Sequence, residues 1–113
     1  MLTVEKLKSF GANTDEGIAR CMGNEGFYLM LVPKVIDDKR LGELESGIAE
    51  KDYKKAFEAA HALKGMFANL SLDPLTKPVS EMTELLGNGV DTDYSGLLKE
   101  AKDKMGELRS LNS

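Results

Sequence analysis

Residues 53–70 read YKKAFEAAHALKGMFANL, and the spacing of their apolar side chains decides the fold. The run holds no proline and one glycine, so nothing in it breaks a continuous helix. At about 100° per residue, Ala56, Ala59, Ala60, Leu63, Met66, Phe67 and Leu70 gather within about 60° of one direction. That arc is the expected core-facing stripe. His61, the only histidine of the chain, lies almost diametrically opposite and is expected to face solvent from mid-helix.

Helix signals continue on both sides of this run. Upstream, a short helix is expected from Thr3 to Phe10, capped by Thr3 and stopped by Gly11. Thr14 is expected to cap a second piece through Met22, with Asp15 and Glu16 in its first turn and Gly23 at its exit. Asn24 caps a third segment in which Phe27, Leu31 and Val35 share a face and Pro33 introduces a bend. The pattern resumes after the Asp37-Asp38 pair, read as a cap, through Leu41, Leu44 and Ile48 to about Glu50. Asp52 caps the 53–70 run.

Downstream, Asp73-Pro74 reads as a cap with proline at the first helical position. It opens a helix through Val79, Met82, Leu85 and Leu86 that Gly87-Asn88-Gly89 stops. Asp91 or Asp93 caps a last helix to about Leu108, with Leu97, Leu98, Ala101, Met105 and Leu108 spaced for burial. No stretch alternates as a strand does. The expected fold is all-α: an up-and-down four-helix bundle with short additional N-terminal helices packed at one end. One domain is expected over residues 1–113, with its core at about 11–108.

Composition excludes several functions. A hydrophobic share of 42% beside 30% charged residues fits a folded globular chain. The net charge of −4, with lysines scattered among acids, argues against nucleic acid. The longest apolar stretch, Phe27 to Ile36, is interrupted by Pro33 and Lys34 and falls short of the roughly 20 residues that span a membrane. Met1-Leu2-Thr3-Val4-Glu5 has no basic or apolar leader character, so no secretory signal is expected. The single cysteine, Cys21, cannot form an internal disulfide, which suits the cytoplasm, and its apolar company makes it a small buried residue. One His and one Cys leave no N/S set for zinc or haem, and no cofactor is expected. Met22, Met30, Met66, Met82 and Met105 fall at core spacing. A largely polar outer surface favours a monomer.

The outward face around His61 carries chemistry. Lys64 and Gly65 follow one turn on, Ala68 two turns on, and Phe57 stands one turn back. Glycine in an exposed helix interior costs about 0.5–1 kcal/mol relative to alanine, so Gly65 signals that something approaches the helix closely there. Lys64 places a cation within reach of an anion carried on the imidazole, and Phe57 either adds apolar area for docking or lies half-buried at the helix edge. Imidazole changes charge near neutral pH, so its neutral form offers a nitrogen lone pair for attack on phosphorus. Phosphoryl transfer asks mainly for positioning and for neutralisation of charge on the equatorial oxygens.

The run Ala60-His61-Ala62-Leu63-Lys64-Gly65, with Asn69-Leu70 following, resembles the signature of histidine phosphotransfer (HPt) domains. Gly17-Ile18-Ala19-Arg20-Cys21-Met22-Gly23, leading into Phe27-Tyr28, resembles the helix that opens such domains, so the likeness spans about Gly11 to Leu108. It implies a four-helix bundle whose exposed histidine is phosphorylated at Nε2. It implies as partners response-regulator receiver domains, whose aspartate exchanges the phosphoryl group, and a hybrid histidine kinase. Carried over by position, His61 is the phosphoacceptor, Lys64 screens the phosphate, and Gly65 leaves room for the receiver. Phe57 and Ala68 flank them as docking contacts, and Asn69 matches a motif asparagine of structural role. The chain departs from the family at Met66 and Phe67, where small residues are frequent, and at Ser71, where glycine is common.

The carrier needs no nucleotide site, and no Gly-x-x-x-x-Gly-Lys-Ser/Thr loop occurs, so the chain is not expected to be an enzyme. Magnesium, where the transfer uses it, comes with the partner. The alternative is a phosphorylation-independent docking module that regulates a receiver or kinase, a role for which an exposed imidazole beside a cation is superfluous. A di-metal bundle requires paired inward Glu-x-x-His motifs. Glu58-Ala59-Ala60-His61 has that spacing but occurs once and points outward.

Overall fold

Side-chain caps set where most of the helices begin. The computed structural model describes all 113 residues and contains seven α-helices, one 3-10 turn and no strand. Thr3 accepts from the Lys6 N–H and opens α1 (Val4–Phe10). The cap of α2 (Thr14–Arg20) is Asn13, which accepts from the Glu16 N–H; the expected cap, Thr14, is instead buried in the first turn. Asn24 caps α3 (Glu25–Leu31), Asp38 caps α4 (Lys39–Ala49), and Asp52 caps α5 (Tyr53–Asn69). The cap position of α6 (Asp73–Gly87) is Leu72, whose carbonyl takes the Leu75 and Thr76 N–H groups, so the expected cap Asp73 lies inside the first turn with Pro74. Asp93 accepts from the Ser95 N–H ahead of α7 (Ser95–Leu111), which runs nearly a turn beyond the expected Leu108.

Five helices end in the same way. The bond pairs Ala12→Leu7 and Gly11→Lys8, Gly23→Ile18 and Met22→Ala19, Asp52→Gly47 and Lys51→Ile48, Leu72→Phe67 and Ser71→Ala68, and Val90→Leu85 and Gly89→Leu86 close α1, α2, α4, α5 and α6. This geometry puts one residue in the left-handed region after each helix. Glycine fills that place after α1 and α6, but Met22, Lys51 and Ser71 fill it after α2, α4 and α5, with φ of 59°, 55° and 53°. The turns that result are tight and fold successive helices back on one another.

Helices α4 to α7 form the expected up-and-down bundle, each packed against the next in sequence, and α1 lies against α7. Helices α4 and α5 meet where both are smallest: a Cβ on Gly47 would stand 2.8 Å from the Ala56 nitrogen. Leu44, Ala56, Ala60, Leu63, Phe67, Val79, Met82, Ala101 and Met105 are buried in one continuous core. Pro78 sits inside α6 without ending it, at the loss of a bond to the Pro74 carbonyl. Glu45 and Lys102 join α4 to α7 at 2.7 Å. Asp37 pairs with Arg109 on α7, which holds the Asp37 carboxyl below its ordinary range.

The segment around Pro33 differs most from expectation. Helix α3 tightens into the 3-10 turn Val32–Val35 and ends in extended backbone at Ile36. Tyr28, Val32 and Val35 are buried, whereas Phe27 is 38% exposed, so the predicted Phe27–Leu31–Val35 stripe keeps Val35 but moves by one residue at its first two positions. Met22 and Met30 are 91% and 53% exposed and are not core residues, and Met66 is only half-buried. Cys21 is buried as expected. No helix is long and apolar enough to cross a membrane.

Candidate functional site

Helix α5 supplies every residue of the predicted site. Ala56, Ala59, Ala60, Leu63 and Phe67 take its buried face, which turns His61, Lys64 and Gly65 to the exposed one. His61 is the ninth of the seventeen residues of α5, with eight on either side. Its ring stacks on Phe57, with centroids 5.7 Å apart and planes 17° from parallel. That contact engages a face of the imidazole, while the nitrogen lone pair lies in the plane of the ring and points away from it.

Lys64 takes part in no ion pair, and since Lys8, Lys34, Lys39, Lys54 and Lys77 take part in none either, it is its place one turn from His61 that offers its ammonium to an anion there. Glu58, one turn before His61, is likewise exposed and unpaired. A Cβ built on Gly65 meets nothing within 4 Å. Gly42, Gly96 and Gly106 are equally open in other helices, so open space alone does not single out Gly65. Its place one turn beyond His61 does.

Phe57 and Ala68 are half-buried. Phe57 does not stand free on the surface: its ring also packs over Gly87 of α6, where a Cβ would come within 2.9 Å of Cε1. The residue spacing within α5 carries no information on this neighbour, because Gly87 lies in α6, where the sequence marks it only as part of a helix stop. Asn69, matched to a motif asparagine of structural role, is exposed, and the last turn of α5 is closed by backbone bonds from Ser71 and Leu72. Past Gly65 the surface falls into a shallow groove lined by Leu31, Lys34, Val35, Met66, Asn69 and Leu70. Arg40 reaches over its rim, 3.5 Å from the Met66 sulfur and 3.2 Å from Asp38. Neither the groove nor the part played by α3 in it was visible in the sequence.

An exposed imidazole held by one face, an unpaired lysine a turn away and open space at the neighbouring glycine can accept a phosphoryl group presented side-on to the helix. No curated protein and no solved structure is significantly similar to the chain. The family model described as the Hpt domain matches residues 38–111, from the cap of α4 to the end of α7, with His61, Lys64 and Gly65 inside the match. Hpt domains are helical phosphocarriers of phosphorelays, and the all-helical bundle agrees with that. With well over half of its length matched, the chain belongs to the Hpt domain family.

Proposed function

We propose that the chain is a phosphocarrier whose His61 takes a phosphoryl group from an aspartate of one receiver domain and passes it to another. The observation that carries this reading is His61 itself, exposed at mid-helix beside the unpaired Lys64 and the open Gly65. In the accepting step the Nε2 lone pair forms the N–P bond as the P–O bond to the aspartate breaks. The electron pair returns to the carboxylate, and Nδ1 keeps its proton. Lys64 offsets charge on the equatorial oxygens, and the donor brings any metal. The onward step is the same exchange reversed.

Gly65 admits the receiver surface, and the exposed edge of Phe57 and the methyl of Ala68 flank the contact. We read the whole chain as one domain acting as a monomer, since Leu7, Tyr28 and Val32 of the first 37 residues share the core of the bundle. Nucleotide chemistry belongs to a hybrid kinase upstream. The single buried cysteine is in keeping with the cytoplasm.

The test is transfer of label from a phosphorylated receiver to the wild-type chain and to His61→Gln. An acid-labile, base-stable label on the wild type alone is expected, because the chain has no other histidine. Receivers that bind both proteins and label neither would refute the carrier and favour the docking module.

A further inference from the structure

Phe57 is placed between two features that explain its position. On one side its ring lies over Gly87, which provides the seat: an added Cβ would stand 2.9 Å from Cε1, 3.4 Å from Cδ1 and 3.8 Å from Cζ. On the other side it stacks on His61, one turn along α5. The ring is thus fixed from a second helix before it touches the imidazole, and it is half-buried rather than free.

An exposed histidine otherwise samples its rotamers on the picosecond-to-nanosecond scale. A hydrogen bond to a ring nitrogen would restrain it, but would occupy an atom that the transfer uses. A stack on the ring face restrains the same torsions and leaves both nitrogens free. We propose, on the basis of the phosphocarrier reading above, that Phe57 seated on Gly87 is a positioning residue holding the His61 imidazole in its attacking orientation.

This role differs from docking in what it predicts. A docking residue changes how much receiver is needed; a positioning residue changes the rate once the receiver is bound. Phe57→Leu removes the stack. Gly87→Ala leaves Phe57 in place but displaces its ring from α6, and since alanine favours helix it keeps the fold. Phe57→Tyr preserves the ring and serves as the rescue.

Two measurements decide it. The first is the NMR signal of the imidazole carbon-bound protons, which is unambiguous because the chain has one histidine. Stacking is expected to shift these protons upfield in the wild type and in Phe57→Tyr, with the shift lost in Phe57→Leu and altered in Gly87→Ala. The second is single-turnover transfer from a phosphorylated receiver across a range of receiver concentrations. The saturating rate is expected to fall about tenfold in Phe57→Leu, and measurably in Gly87→Ala, whereas any change in the half-saturating concentration reports only the contact that the exposed edge of Phe57 makes with the receiver.

Variants that transfer at the full saturating rate, or that change only the half-saturating concentration, would overturn the positioning role while leaving the carrier intact. A wild type that accepts no phosphoryl group from any receiver would overturn both.

Discussion

The Tyr28 hydroxyl donates a 2.9 Å hydrogen bond to the Leu70 carbonyl, across 42 residues of sequence and inside the core. It ties α3 to the end of the helix that carries His61. Gly17 of α2 completes the joint from the other side, where a Cβ would lie 2.5 Å from Tyr28 Cε1 and 3.0 Å from the Leu70 oxygen. Two elements outside the sequence pattern of α5, α2 and α3, therefore fix where α5 stops and the α6 turn begins.

Alkali should loosen this joint. Burial, with Cys21 and Asp73 nearby, pushes the Tyr28 phenol up to about 12 from an ordinary value of 10.0. The fold thus favours the neutral phenol. Its contribution is complete below pH 10.0 and is lost as the pH rises toward about 12. Tyr28→Phe should cost about 1–2 kcal/mol at neutral pH, since it orphans a buried carbonyl. The same variant should flatten the decline in stability above pH 10.0, as followed by denaturant melts across that range. An unchanged alkaline slope would assign the decline to other groups.

Gly17→Ala should destabilise the protein by about 1–3 kcal/mol, because its methyl meets a buried ring and a carbonyl that are both held in place. Chemical denaturation compares it with Gly106→Ala in α7, where an added Cβ meets nothing within 4 Å. That second variant should gain about 0.5–1 kcal/mol from helix propensity alone.

Gly65→Ala separates folding from function. Its methyl enters open space, so the midpoint of denaturation should rise as it does for Gly106→Ala. Transfer from a receiver should fall for Gly65→Ala and stay at the wild-type level for Gly106→Ala. Equal transfer by both would deny Gly65 any part in close approach.

Lys64→Gln removes one unit of charge near the phosphoryl oxygens. At an exposed site such an interaction is worth about 1 kcal/mol, which corresponds to a roughly fivefold slower transfer. Lys64→Arg should retain most of the rate, and the deficit of Lys64→Gln should shrink at high salt.

Ser71→Gly should stabilise the protein by about 1 kcal/mol, net of the entropy that glycine loses on folding. Ser71 has φ of 53°, and its hydroxyl is buried without a hydrogen-bond partner. Thermal melts of the two proteins measure the difference.

Where the sequence was legible, local signals agreed with one another. The 53–70 run has a single apolar stripe, a cap at Asp52 and no competing register, and the structure follows it to within one residue. Helix α3 was not legible in this way. Phe27, Leu31, Val35 and Tyr28, Val32, Val35 are both helical spacings that share Val35. What chooses between them is the acceptor for the Tyr28 hydroxyl, 42 residues away. The end of α2, expected at Met22, falls at Arg20, and Met22, like Lys51 and Ser71, adopts the left-handed backbone conformation that glycine most often fills. The histidine, lysine and glycine of the candidate site were legible because they share one helix face. Gly87, the seat of Phe57, comes from another helix and could be found only in three dimensions.

His61 stands at the midpoint of α5, roughly 12 Å from either end at 1.5 Å of rise per residue. Both turns that bound this helix are remote from the nucleophile. Insertions and substitutions in those turns can accumulate without altering what a partner meets at the histidine, so the ends of the bundle are free to diversify while its flank is kept for exchange.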